Sequence, residues 1–157
     1  MIFGREDILL NNIAWFLRRS PVFAVFGAGD YRVQPVFVDD VAELAVRAGQ
    51  TDEALELDAA GPETFTFDEL VRLTARSVGS RARLLHARPG LGLMLGRLMG
   101  YAVRDVVITR DEIEGLMAGL LVSDKALECA TSLRVWLREN GDTLGKSYAS
   151  ELRRHYK

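Results

Sequence analysis

Apolar residues recur along this chain first at a helical spacing and then at a strand spacing, and the switches fall at glycine or proline. Between Ile8 and Leu17 the positions Leu9, Ile13, Phe16 and Leu17 form one stripe, which predicts a helix. Ser20-Pro21 ends it, because a residue before proline is pushed out of the helical region. Val22 to Phe26 is an unbroken β-branched and aromatic run, hence a strand, and Gly27-Ala28-Gly29-Asp30 is a turn. Val33 to Val38 is a second strand. It carries Pro35 and so belongs at a sheet edge or contains a bulge. The two strands together suggest a hairpin. Asp39 can cap a helix running to about Ala48, with Val41, Leu44, Ala45 and Ala48 inward and Gly49 as its stop.

Leu55 to Ala59 reads as a short strand closed by Gly61-Pro62. Thr66-Phe67-Asp68-Glu69 is a capping box, in which the hydroxyl accepts from one orphan N–H and the glutamate from another. The helix behind it sets Phe67, Leu70, Val71, Thr74 and Val78 on one face, and Gly79 ends it. Arg83 to His86 is a candidate strand. After Pro89 the pattern is mostly helical. Thr109 and Glu112 form a second capping box, Ser132 to Asn140 is a helix stopped by Gly141, and Asp142 caps a last helix through Leu144, Tyr148 and Leu152. Its closing Arg153, Arg154 and Lys157 suit the negative end of the helix dipole. The order is α/β early and all-α late. Leu55–Ala59 lies between helices with few strand partners in view, so it pairs with the hairpin or its natural sheet lies outside the chain.

Composition narrows the function classes. The 157 residues fit one domain, or one domain with a helical appendage. A net charge of −2 argues against general nucleic-acid binding, which calls for a strongly basic surface. The single cysteine, Cys129, excludes an internal disulfide and a cysteine-cluster metal site, and a small buried hydrophobe is its simpler reading than a nucleophile. The first residues lack the basic-then-apolar order of a signal peptide, and the weakly polar stretch Leu91–Val103 is too short to span a bilayer and is broken by Arg97. A cytoplasmic protein is expected, with peripheral attachment to a membrane left open.

Several segments together resemble the extended short-chain dehydrogenases/reductases after their catalytic region. Ile2-Phe3-Gly4 is similar to the end of a family strand and its loop; Gly27-Ala28-Gly29 through Gln34-Pro35-Val36-Phe37-Val38-Asp39-Asp40-Val41-Ala42 resembles the family's glycine loop, second strand and helix start. Leu55 to Thr66 resembles a late sheet strand with its capped helix. The tail from Ser132-Leu133-Arg134-Val135-Trp136-Leu137 is similar to bacterial proteins related to the nucleotide-binding accessory subunit of respiratory complex I. The likeness implies an α/β chain that is the C-terminal, substrate-side portion of an extended Rossmann-type reductase or NAD-dependent epimerase, with most of the parallel sheet missing. Residues 1–62 would be a remnant of the dinucleotide-binding fold with a substrate-side hairpin, and residues 63–157 a mostly helical lobe.

The chemistry such a protein needs is then sought in the residues. A dinucleotide cradle wants glycines between a buried strand and a helix. Gly90-x-Gly92-x-x-x-Gly96 is the only candidate, its third glycine is late by one, and close helix packing by Gly92, Gly96 and Gly100 explains it more simply. The family's tyrosine with a lysine four residues on is absent: Tyr31 is followed at that spacing by Pro35, Tyr101 by Asp105 and Tyr148 by Leu152, and Tyr156 stands at the end. His86 and His155 are too far apart in sequence to be a local metal pair. A helix cap accounts for Asp39 of the Asp39-Asp40 pair. No cofactor is therefore expected on this chain alone, with NAD or NADP in a full-length parent, and no catalytic residue is assigned.

Two features rise above background. Arg32 and Gln34, alternating on one strand, would face the same side and line a substrate cleft, or else be solvated side chains of an edge strand. Arg81, Arg83, Arg88, Arg97 and Arg104 share a stretch without acidic residues and alternate with leucines and methionines. Arg88, Arg97 and Arg104 would meet an anionic ligand or a membrane surface, or lie on the outer face of a core helix. The expected partners are a small substrate and a second copy of the chain, through Leu55–Ala59. The expected function is the substrate-binding portion of a nicotinamide-dependent oxidoreductase or epimerase-like protein, inactive alone, or a non-catalytic assembly module of a complex I-like system.

Overall fold

A computed structural model describes residues 1–52, 54–87, 115, 118–125 and 129–150. They form a mixed α/β structure of short strands and helices, as the hydrophobic patterning predicts. The first helix, α1 (Ile8–Arg19), begins where the Asp7 carboxylate accepts from the backbone N–H of Leu9 at 3.3 Å and of Leu10 at 2.7 Å. It buries Leu10, Ile13, Ala14, Phe16 and Leu17, while Leu9 stays 39% exposed. Ser20 ends it, donating its N–H to Phe16. Helix α2 (Val38–Gly49), α3 (Phe67–Ser77) and α4 (Leu133–Asn140) follow. The predicted capping box is present: Thr66 Oγ1 accepts from Glu69 N at 3.2 Å, and Glu69 Oε2 accepts from Thr66 N at 2.8 Å. Ser132 caps α4, with its hydroxyl accepting from Val135 N.

The strands pair two by two among the described residues. β1 (Ile2–Phe3) runs parallel to β4 (Val36–Phe37), β2 (Val22–Phe26) parallel to β6 (Arg83–Ala87), and β3 (Arg32–Val33) antiparallel to β5 (Phe65–Thr66). The register Val22↔Arg83 through Phe26↔Ala87 is the longest ladder. One core gathers Phe3, Leu10, Val25, Val33, Phe65, Leu70, Val71, Leu133 and Leu137, all buried. It draws on residues from both ends of the described chain.

The expected hairpin does not form. Gly27 and Gly29 both take positive φ (64° and 72°), and the strand after them, β3, pairs with β5 and not with β2. Tyr31 then stacks on Phe67 at 5.2 Å, while Phe67 N donates to Tyr31 O and Asp68 N to Gly29 O, so the turn is fastened to the start of α3. The single strand expected from Val33 to Val38 is cut at Gln34-Pro35 into β3 and β4, because proline has no N–H for a ladder.

Residues 55–59 are not a strand. The whole run 54–60 is irregular, with Leu55 48% and Leu57 41% exposed. No described strand pairs with it, and extended backbone without a ladder has no reason to hold β geometry. Side chains hold it instead: Ser123 Oγ donates to Asp58 Oδ2 at 2.6 Å, and Lys125 Nζ to Glu56 Oε1 at 2.7 Å. Asp39 is not a cap. It lies inside the first turn of α2, whose N-cap is Phe37 with no side-chain bond. The helix expected from Asp142 is absent over residues 142–150, which are turns, bends and irregular backbone. Gly145, at φ 66°, breaks it. Thr109, Gly90–Gly96 and Leu152 lie outside the described residues.

Candidate functional site

The groove with the best claim to bind something forms where two strand-to-helix junctions meet. Parallel pairing of β1 with β4 brings the loop Gly4-Arg5-Glu6-Asp7 beside the first residues of α2, and α4 closes the third side. The approach at Gly4 is close, since a Cβ on it would come 2.8 Å from Val38 Cγ1 and Val38 would have to shift. The result is a half-open cavity of about 1000 Å³. The rings of Phe37 and Trp136 line it, and behind them the wholly buried Phe3 packs at 5.4 Å from Phe37 and edge-on at 5.6 Å from Trp136. Ile2, Leu9 and Val38 line the walls while remaining 52%, 39% and 43% exposed. Arg5, Glu6, Asp7 and Asp39 supply charge of both signs, and Asn140 an amide. Such a surface suits a ligand with an apolar body and polar edges. None of the described lining residues is a serine, cysteine, lysine, histidine or tyrosine, so they supply neither a hydroxyl, thiol or amine nucleophile nor the tyrosine–lysine pair of the reductases.

The three described junctions from strand to helix bear on a dinucleotide. A pyrophosphate wants free N–H groups and no negative charge at a helix start. At α1 the Asp7 carboxylate already takes two N–H groups, with Glu6 beside it. At α2 the first turn carries Asp39 and Asp40, and at α3 Asp68 and Glu69. The residues present do not fit a nucleotide phosphate at any of the three. Tyr31 is no substitute acid: burial, then Asp68 and Asp30 nearby, push its phenol above the ordinary tyrosine range, and its hydroxyl has no hydrogen-bond partner among the described residues. The family's acid/base needs the opposite shift. Among the described residues no three His, Cys, Asp or Glu side chains are placed to hold a metal ion.

Of the residues chosen from sequence, Arg32 is exposed on β3 and Gln34 is buried, 6% exposed, so the two do not share one open face. Pro35 interrupts the strand, and with it the alternation that would have aligned them. Gln34 acts as a brace: Nε2 donates to Gly61 O at 2.8 Å, Oε1 accepts from Ser123 N at 2.9 Å, and its own N–H reaches Leu121 O. Arg88, Arg97 and Arg104 lie outside the described residues. The groove loop itself was missed as a site. Its signal was the Phe3-Gly4 strand end followed by Asp7 at helix-cap spacing, which marks a junction but not what faces it. Cys129 is buried, as expected of a small apolar residue.

No model of a protein family matches the chain. Over 138 aligned residues it is 26% identical to NADH dehydrogenase (ubiquinone) 1 alpha subcomplex subunit 9, a mitochondrial protein of Arabidopsis thaliana. The chain is distantly similar to that subunit. The alignment takes in 81% of this chain and 34% of the subunit, so the chain spans about a third of the length of the relative it matches. The likeness supports the complex I-related branch expected from the tail. Among the described residues no helix is long and apolar enough to cross a membrane.

Proposed function

We propose that the chain is the substrate-side, non-catalytic portion of a reductase-like protein and serves an accessory role in an NADH dehydrogenase-type respiratory assembly. The observation that carries this reading is the distant likeness to a named NADH dehydrogenase subunit across most of the chain. The acidic junctions at α1, α2 and α3 support the non-catalytic half of it, because each repels the phosphates a nicotinamide cofactor would bring. NAD or NADP then belongs to a longer parent. The aromatic-lined groove takes a small ligand, with Arg5 on its rim and Arg32 as a further substrate-side candidate. Arg88, Arg97 and Arg104 are proposed to face a membrane surface or an anionic ligand, which makes the protein peripheral to the membrane. A second copy of the chain is proposed as a partner through residues 55–59.

Calorimetric titration of the chain with NADH and with NADPH tests the catalytic question. No binding in the micromolar range is expected, and micromolar binding of either overturns the non-catalytic reading. Native gel electrophoresis of mildly solubilised membranes from the source cells tests the accessory role. The tagged chain should migrate with NADH dehydrogenase activity, and migration only as free protein would refute it.

A further inference from the structure

One side of α1 is written almost wholly in hydrogen-bonding side chains, and they are spent on another stretch of main chain. Residues 141–150 cross α1 without regular structure. Asn12 grips both backbone groups of Ala149: its Nδ2 donates to the carbonyl at 2.8 Å and its Oδ1 accepts from the N–H at 2.9 Å. Asn11 repeats the device one step along, accepting from Gly145 N and donating to Ser147 O, both at 3.0 Å. Arg18 donates to the carbonyls of Leu144 and Gly141 at 2.8 and 2.9 Å, and Arg19 to those of Gly145 and Lys146, both at 2.9 Å. These bonds all join a side chain of α1 to the main chain of the segment, so they do not depend on its side chains.

Sequence enters at three described places. Leu144 is buried. Gly145 sits at φ 66°, and a Cβ there would come 2.4 Å from the backbone of Ala14 and Trp15. The Tyr148 ring lies edge-on to Trp15 at 5.4 Å. Main-chain readout along a row of amides and guanidinium groups gives affinity, and the few pockets give specificity, which is the division of labour of a peptide-binding site.

We propose that this face of α1 is a binding site for a turn-forming segment of the form Leu-Gly-x-x-Tyr, filled here by the chain's own residues 144–148 as a releasable latch. The occupant is already in place because it is tethered, which raises its effective concentration over any free competitor. Apart from Leu144 and the Tyr148 ring on Trp15 and Phe16, hydrogen bonds between side chains and main chain hold it down, so it opens at lower cost than the core beneath.

Hydrogen exchange on the unaltered chain gives the first test. The amides of Gly145 and Ala149 should exchange through a local opening that leaves α1 protected; exchange of both at the rate of the α1 amides would make the segment an ordinary part of the core and overturn the latch. The second test uses a labelled synthetic peptide of residues 141–150. The full-length Gly145→Val chain, its latch expelled, should bind that peptide at least about tenfold more tightly than the unaltered chain. Replacing the peptide's own glycine by valine should abolish binding. Failure of the folded Gly145→Val chain to bind the peptide would overturn the site. If Gly145→Val does not fold, Asn12→Ala serves: exchange at Ala149 should quicken with the melting temperature unmoved, and an unchanged rate counts against the proposal.

Discussion

Asp39 and Asp40 are neighbours of identical chemistry with different work to do. Asp39 sits in the first turn of α2, where its charge favours the helix dipole, a contribution of about 0.3–1 kcal/mol. Asp40 gathers three donors from the far side of the molecule: Ala130 N at 3.0 Å, Thr131 N at 2.9 Å and Thr131 Oγ1 at 2.7 Å. Asp40→Ala should therefore cost about 1–3 kcal/mol in urea unfolding and Asp39→Ala less than about 1 kcal/mol; equal losses would show that the 130–131 contacts do not hold in solution. Thr66→Ala should cost about 1 kcal/mol, since one N–H of α3 loses its acceptor. Tyr31 gives a pH signature. Its phenol is held above the ordinary range, so the folded state resists its ionisation, and stability should be full below about pH 10 and fall as pH rises beyond it. Absorbance at alkaline pH should show one tyrosine ionising only as the chain unfolds. At this scale the capping box at Thr66 was legible because its bonds run between residues three apart. The role of Asp40 was not, because its partners lie some ninety positions away.

Helices were easier to read than strands for a related reason. α1, α3 and α4 announce themselves through a stripe and a cap, both local, and their observed ends fall close to the expected ones. A strand's identity depends on a partner that sequence distance hides. β2 was recognised as a strand from its apolar run, but its partner is β6, some sixty residues on, not the stretch just after the turn. Residues 55–59 show the converse. Their composition is that of a strand, and without a neighbouring ladder they remain irregular. The groove was invisible for the same cause, since it exists only when β1 meets β4. The β2–β6 ladder carries its own prediction. Val25 is wholly buried while Leu85 is 56% exposed, so Val25→Ala should cost about 2 kcal/mol and Leu85→Ala well under 1 kcal/mol by chemical denaturation. Losses in the reverse order would mean that the outer face of this ladder is the covered one.

For the molecule as a whole, the question is what meets the apolar surface it leaves bare. Leu55 and Leu57 are 48% and 41% exposed, and Val46 on α2 is 60% exposed. α2 is amphipathic in sequence yet buries only Leu44, so its packing against the described core is slight. Residues 55–59 offer no ordered row of backbone groups, so a bare strand edge does not drive self-association here. The leucines remain, and exposed apolar side chains gain from any partner that removes them from water. The ion pairs of Lys125 with Glu56 and Asp58 hold the segment in place, but these groups are largely solvated and contribute little to any preference for the free chain. A dimer joined here should therefore be driven by the leucines and be insensitive to salt. Sedimentation velocity at micromolar concentration should show a species heavier than 17.5 kDa, and a Leu55→Ser, Leu57→Ser variant should return it to the monomer. Weakening of the heavier species by moderate salt would point instead to a charged interface, and a monomer at every concentration would leave this surface to a different protein.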